Sequence, residues 1–475
     1  MSKYYITTPI YYINGKPHIG HAYTTLAADV IARYQRQKGS EILFATGVDE
    51  NSQKTVQVAA ATNKPIADYV KEMADVWQST WQQLGITNNC FIRTTSEEHK
   101  ATVYEIIKRV QASDDIYKSA YKGFYCVGCE SFVKESELVD GLCPDHKTKP
   151  EWLEEENFFF RLSKYQQQLL DYIESRPEFI QPLSRRHEIV SFIKQGLQDF
   201  SVSRSTQQWG IPWPDAPDQV VYVWFDALTN YLTATGFPDE KYKNFWPANL
   251  HLMSKDIIKF HCIYWPAILM SAGLPLPEHI FAHGYFTIDG QKISKSLGNT
   301  IDPLALANEY GIDTLRYYLF AEIPFGEDGE FNNERFQTVY TTDLANDLGN
   351  LVQRVAVLVS KHLDGVIGEL PSPTFKRDAY DNDMNSLKLS SALKQVWQQI
   401  RNLNVYLQEQ KPWKKVSTDQ AEFKHIVSQT IADLLLIADL LMPFLPTTSQ
   451  KIIDTFGGGK VHPEIGLLFP KKDSQ

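Results

Sequence analysis

The sequence predicts an α/β protein in which a Rossmann-type parallel sheet is split by an insertion and followed by an all-α bundle. Three features predict it. The chain opens with a strand, a glycine-containing turn and a helix. That rhythm breaks near Ile116 and resumes near Val220. Beyond about Phe325 only helical periodicity remains.

Residues 4–12 are rich in β-branched and aromatic side chains and read as a buried strand, after which Asn14, Gly15 and Pro17 mark a turn. Leu26, Ala27, Val30, Ile31 and Tyr34 fall at helical spacing within residues 21–36. A second apolar strand over 42–46 and helices around 66–84 and 97–112 continue the alternation, which favours parallel pairing. From 116 to about 217 the rhythm gives way to aromatics, a cysteine cluster between Cys126 and Cys143, and the acidic run 154–156. Strands over 220–225 and 250–253 and a helix over 263–272 restore it. Amphipathic helices around 344–362, 386–407 and 423–441 close the chain as a bundle. The expected domains are therefore 1–116, the first half of the sheet domain; 117–217, the insertion; 218–325, the second half; and 326–475, a linker and helical domain. No internal repeat or low-complexity tract interrupts them.

At 475 residues the chain is too long for one hydrophobic core. Its 43% hydrophobic and 22% charged residues exclude disordered and fibrous classes. The start lacks a basic region followed by a long apolar stretch, and Asp433 and Asp439 interrupt the longest apolar run, so neither a signal peptide nor a membrane span is expected. Five cysteines in so long a chain make no secreted disulfide framework. A cytoplasmic protein is expected. The net charge of −10 does not advertise a nucleic-acid partner, but totals hide local patches.

His18-Ile19-Gly20-His21 stands where the first turn meets its helix, a place whose free N–H groups and dipole favour an anion. Two imidazoles there can donate to phosphate oxygens, and Gly20 puts no side chain between the backbone and a bound nucleotide. Lys292-Ile293-Ser294-Lys295-Ser296 follows residues 285–288 and the turn pair Asp289-Gly290, which predicts a loop beside a short hairpin. Two lysines and two hydroxyls suit a pyrophosphate whose charge grows during reaction. Singly, the first motif also fits two histidines making local helix-start contacts, and the second a solvated lysine loop. Together, in this order, they resemble the paired signature of class I aminoacyl-tRNA synthetases. Ile293 stands where that family usually has Met.

Further segments resemble the methionyl members of that family. They are Thr8-Pro9-Ile10-Tyr11-Tyr12, Gly47-Val48-Asp49-Glu50, residues 222–227, and residues 255–261 running on to Trp265-Pro266. The resemblance covers essentially the whole chain. A methionine pocket must enclose an unbranched thioether in apolar and aromatic surface and bring a weak donor to sulfur. The resemblance assigns Ile10, Tyr12, Trp224, Ala227, Tyr231, Ile257, His261 and Trp265 to that pocket, with Asp49 on the α-ammonium. Each aromatic, taken alone, equally suits core packing. For ATP the resemblance implies His18, Gly20, His21, Asp256, Lys292, Ser294 and Lys295, with His18, His21, Lys292 and Lys295 acting in catalysis. The sequence departs from the family at Asn51-Ser52, where His-Gly is common, at Ser254, where Gly is usual, and at Leu228, where some members have Pro.

Cys126-x2-Cys129 and Cys143-x2-His146, with 13 residues between, form a tetrahedral zinc signature with four filled positions, hence one structural Zn2+; free thiols are the alternative. The insertion resembles the connective domain of methionyl enzymes with a single zinc knuckle. It is too short to contain the large editing domain of isoleucyl, valyl and leucyl relatives. Asn350 and Arg354 share a helix face, and Pro412 breaks the chain before Trp413. The resemblance makes these three the anticodon readers, by stacking and by hydrogen bonds to splayed bases; otherwise an Asn–Arg pair suits a solvated face. The implied activity is ATP-dependent formation of methionyl-adenylate, with Mg2+ accompanying ATP, and transfer to initiator and elongator methionine tRNA by a monomer. The rivals are a cysteinyl or leucyl enzyme and a non-catalytic tRNA-binding protein on the same scaffold.

Overall fold

A computed structural model describes residues 2–128, 131–133, 135–144, 147–288, 291–292, 300–461 and 466–470. The chain divides into two compact units, one of Met1–Pro17 and Gly39–His283, the other of His18–Lys38 and Gly284–Gln475.

In the first unit the chain lays down β1 (Lys3–Tyr12), β2 (Glu41–Asp49) and β3 (Cys90–Arg93). It then makes β4 (Ile116–Cys126), β5 (Ser131–Val133) and β6 (Glu151–Phe160), and the two-residue β7 (Ile180–Gln181). Next come β8 (Phe200–Ser201), β9 (Ser203–Arg204), β10 (Pro212–Trp213), β11 (Ala216–Val221), β12 (Leu250–Ser254) and β13 (His279–His283). The main sheet runs β3-β2-β1-β12-β13-β7 and is parallel throughout. Strand order therefore reverses between β1 and β12, the crevice at which open α/β sheets take ligands. Gly47 is required by the pairing itself: a Cβ there would lie 2.3 Å from the Ile92 carbonyl oxygen of β3. β4, β5, β6 and β8 form a separate antiparallel sheet, so the segment between β3 and β12 carries its own layer while lending β7 to the main sheet edge.

One expectation is corrected. Residues 220–225 are not a strand of the main sheet. The strand there is β11, paired antiparallel with β9 and β10, and it ends at Val221. Tyr222 then begins a helix, Val223–Leu228, so Trp224 and Ala227 are presented from a helical turn. The apolar run is buried on all sides, and periodicity cannot separate strand from helix in that case.

The second unit opens with the helix Ile19–Gln37 and continues with β14 (Phe286–Ile288), β15 (Gln291–Lys292) and β16 (Gly329–Glu330). Helices follow at Ile312–Ala321, Asn350–His362, Leu389–Gln410, Gln420–Leu441 and Pro446–Phe456. The predicted helical bundle is thus present, with Tyr340–Gly349 wound wider as a π-helix before Asn350. Its apolar stripe, including Leu351, Val355, Leu358, Leu393, Val396, Ile400, Ile431 and Leu434, is buried. Among the described residues no helix is long and apolar enough to cross a membrane.

Candidate active site

The residues expected to hold methionine gather near the carboxyl ends of β1, β2 and β12. Ile10 pairs with Gly47 and Tyr12 with Asp49, so the last turns of two neighbouring strands present an apolar, an aromatic and an acidic side chain side by side. Beyond β12, one 3-10 turn (Lys255–Ile257) and a π-turn (Phe260–Tyr264) supply Ile257 and His261, and the following helix begins at Trp265.

Rings join most of this set. Trp224 stacks on Phe260 at 3.7 Å and 5°, with Tyr12 and His261 each edge-on to it at 6.4 Å. Tyr231 lies 6.0 Å from Trp265 and 5.7 Å from His261 between ring centroids. Ile257 is tied in through its carbonyl, which accepts from His261 Nδ1 at 3.0 Å. Ala227 sits one turn from Trp224 on the same helix.

The hydrogen bonds fix protons. A carbonyl can only accept, so Nδ1 of neutral His261 carries the hydrogen and Nε2 has a lone pair. Tyr231 Oη, 2.6 Å from that Nε2, therefore donates to it. His251 stands behind: the Trp265 indole donates to its Nε2 at 3.3 Å, leaving Nδ1–H to bond Thr7 Oγ1 at 2.8 Å. Burial holds both imidazoles neutral, pulling His261 down to about 4 and His251 well below its ordinary value, the latter helped by His261. Burial also pushes the Tyr231 phenol well up. The result is a neutral, largely apolar wall, fit for an uncharged side chain. His251 and Phe260 join this cluster although neither was assigned to it from the sequence; a histidine inside the otherwise apolar strand 250–253 was the available signal for the first.

Asp49 is buried, and its Oδ1 accepts the Asn51 backbone N–H at 3.0 Å. The neighbouring Glu50 is matched by Arg93 at 2.7 and 2.9 Å. Asp256 is exposed and takes a hydrogen bond from the hydroxyl of Ser254.

In the second unit His18 caps the helix Ile19–Gln37, its Nδ1 accepting from Gly20 N–H at 3.1 Å, while His21 Nδ1 accepts from His18 N–H at 3.2 Å. The two rings stack at 3.7 Å. Backbone donors at both Nδ1 atoms place each neutral ring's proton on Nε2, a donor of the kind a phosphate oxygen accepts. A Cβ on Gly20 would press on the His18 ring at 3.0 Å, so a larger residue there would crowd the cap. The lysine motif's hairpin belongs to the same unit: Thr287 pairs with Lys292, and Phe286 meets Tyr23, two residues past His21, edge-on at 4.6 Å. Ile301 O accepts Ile19 N–H at 3.0 Å. Ser294 and Lys295 lie outside the described residues.

Of the four expected zinc ligands, Cys126 and Cys143 are buried, and Cys129 and His146 lie outside the described residues. Among the described residues no group of three or more metal-ligating side chains occurs. Asn350 is exposed and Arg354 half-buried on Asn350–His362. Trp413 is 40% exposed on the short helix Pro412–Lys415, after Lys411 takes the left-handed conformation at φ 48°.

The chain matches the family of class I tRNA synthetases (M) over residues 4–150 and 146–356, and the anticodon binding domain of methionyl tRNA ligase over 367–463. A methionine-tRNA ligase of Thermotoga maritima is 44% identical over 471 residues, spanning 95% of this chain and 74% of its own. That of Clostridium acetobutylicum is 45% identical over 471 residues, spanning 95% and 72%. Mycobacterium tuberculosis methionyl-tRNA synthetase in complex with methionyl-adenylate superposes with a TM-score of 0.94 at 41% identity, over 99% of this chain and 100% of that one. The chain belongs to the methionyl-tRNA ligases of the class I aminoacyl-tRNA synthetase family.

Proposed function

We propose that this ligase works in two steps, with Asp49 and the aromatic pocket holding methionine and the two phosphate motifs handling ATP. A methionine carboxylate oxygen attacks the α-phosphorus, the bond to the bridging oxygen breaks, and pyrophosphate leaves. The terminal ribose hydroxyl of methionine tRNA, initiator or elongator, then attacks the adenylate carbonyl and AMP departs. Asp49 takes the α-ammonium. Ile10, Tyr12, Trp224, Ala227, Tyr231, Ile257, His261 and Trp265 enclose the thioether.

His18 and His21 donate from Nε2 to phosphate oxygens, Gly20 and Asp256 contact the nucleoside, and Lys292, Ser294 and Lys295 meet charge that grows on the leaving group. Magnesium accompanies ATP. The observation that carries this reading is the convergence of Asp49, Tyr12 and the Trp224–His261–Tyr231 cluster at the carboxyl ends of parallel strands beside the β1/β12 reversal. Lys295→Ala tests it: ATP–pyrophosphate exchange with methionine should slow by at least a hundredfold with methionine affinity nearly unchanged. Loss of methionine affinity with exchange chemistry intact would overturn the role.

We read residues 117–217 as a connective insertion with one structural zinc, flanked by catalytic halves 1–116 and 218–325, with 326–475 forming the linker and anticodon domain. The two described cysteines suit the metal. Cys126 closes the β4–β5 hairpin opposite Ser131, and Cys143 follows a tight turn in which Val139 bridges Leu142 through Asp140 and Gly141, both at positive φ. Such turns present thiols in the manner of a zinc knuckle. Cys126, Cys129, Cys143 and His146 would hold the ion, which when bound supplies a cross-link rather than chemistry. Asn350, Arg354 and Trp413 read the anticodon.

A further inference from the structure

Next to Asp49 lies a chain of buried polar groups that substrate binding, as read above, does not use. Asn51 bonds two carboxylates at once: its backbone N–H goes to Asp49 Oδ1 at 3.0 Å, and its side-chain Nδ2 donates to Asp226 Oδ2 at 2.7 Å. The other oxygen of Asp226 meets His99 Nε2 at 2.6 Å, and His99 Nδ1 meets Thr233 Oγ1 at 2.9 Å. His99 and Asp226 are fully buried. An ionised carboxylate only accepts, so both Asn51 Nδ2 and His99 Nε2 donate to Asp226. The Asn51 carbonyl accepts from Gln207 at 2.8 Å, and Trp209 donates to the Glu50 carbonyl at 2.8 Å.

Such a network contributes little if it serves only the fold, because replacing buried polar groups by well-packed apolar side chains is often neutral or stabilising. Its geometry has another consequence. Asn51 joins Asp49 and Asp226 at once, so its backbone position is tied to Asp226 and His99 on one side and to the Asp49 carboxylate on the other. A charge-assisted contact to an ammonium depends steeply on where that carboxylate sits.

We propose that His99, Asp226 and Asn51 are positioning residues that hold Asp49 for the α-ammonium of the amino acid. The inference rests on the assignment of Asp49 above. It concerns orientation: none of the three touches methionine, and each acts through the next.

The test uses the intact chain and two ligands, methioninol, which keeps the ammonium and lacks the carboxylate, and desamino-methionine, which lacks the ammonium. Their binding is measured by calorimetry, alongside methionine and ATP kinetics by pyrophosphate exchange. Asn51→Ala and His99→Leu should weaken methioninol binding and raise the methionine KM by about tenfold to a hundredfold, the range for hydrogen bonds to charged groups. Desamino-methionine binding, kcat and the KM for ATP should stay within about threefold of the parent. His99→Gln, which keeps one N–H donor, should restore most of the loss. If Asn51→Ala does not fold, Asn51→Gln, which keeps the amide but moves it by one methylene, carries the same comparison. Equal weakening of both ligands would make the network a packing element and overturn the proposal, as would unchanged methioninol binding. Asp49→Ala separates the two ideas: if it leaves the preference for methioninol intact, the assignment of Asp49 itself is wrong.

Discussion

Arg316 sets Nη1 2.8 Å from Asp29 Oδ2, and both side chains are fully buried. Arg33 adds Nε to the same oxygen at 2.7 Å, and Arg316 also donates to the carbonyls of Phe444 and Pro443 at 2.7 and 2.8 Å. Asp29 lies on the helix that His18 caps, and Pro443 and Phe444 lie in the turn that follows the helix Gln420–Leu441. Tyr34 and Gln37, further along that helix, reach Asp381 and the Asp439 carbonyl. The helix Ile19–Gln37 is therefore bolted to the helical bundle inside one unit.

Removing one partner of such a pair leaves a buried charge uncompensated, a loss of about 3–5 kcal/mol. Asp29→Leu, which strips the buried Arg316 of its carboxylate whereas Arg316→Leu leaves Asp29 its contact with Arg33, should accordingly speed hydrogen exchange of amides in Ile19–Gln37 by about a hundredfold or more. The double variant Asp29→Leu with Arg316→Leu should lose less than the sum of the single losses. Additive losses would mean that the two charges are not coupled.

The His261 and His251 imidazoles refuse a proton when folded that the unfolded chain accepts below about 6.5. Their contribution to stability is thus complete above that value and is lost as pH falls toward the folded value, about 4 for His261. For His261 the loss is on the order of 3 kcal/mol across the window. Urea unfolding at a series of pH values should show this acid slope in the parent and a shallower one in His261→Gln, with His251 supplying the remainder. An unchanged slope would show that His261 does not stay neutral in the folded protein.

Elemental analysis of protein prepared without chelator should find about one equivalent of zinc per chain. Cys126→Ser or Cys143→Ser should abolish it and destabilise β4–β5 and the turn at Leu142, because the insertion's cross-link is lost. Activation of methionine without tRNA should be little affected. Metal-free parent protein with a normal melting profile would remove zinc from the account.

How much of this was legible in the sequence depends on length scale. The helix Glu97–Ala112 falls on its expected bounds, since sixteen residues of clear periodicity leave little choice. The two-residue strand β7 has no period to detect, and β3 and β13 are nearly as short. The run from Val220 to Phe225 misled because its chain turns at Tyr222, whose N–H goes to Val202 O in a neighbouring segment, before winding into a helix. The rings of Tyr12, Trp224, Tyr231, His261 and Trp265, which the structure brings into one cluster, were singled out through resemblance. The network behind Asp49 was not, because His99 and Asp226 stand 127 positions apart and each looks ordinary in its own helix.

Trp413 offers the sharpest separation of anticodon reading from chemistry. Its indole is 40% exposed, on a four-residue helix set off by the left-handed Lys411 and by Pro412, while Lys411, Lys414 and Lys415 surround it with positive charge in the sequence. A base stacked on an aromatic ring contributes about 1–3 kcal/mol by alanine substitution. Trp413→Ala should therefore lower kcat/KM for methionine tRNA by about tenfold to a hundredfold, and pyrophosphate exchange without tRNA should stay normal. The variant should also discriminate less against a methionine tRNA whose anticodon has been changed, since the ring it lacks is what penalises the wrong base. A proportional fall in both activities would mark Trp413 as a support of the bundle. No fall in either would place anticodon reading on other residues, with Asn350→Ala and Arg354→Ala the next variants to assay in the same two reactions.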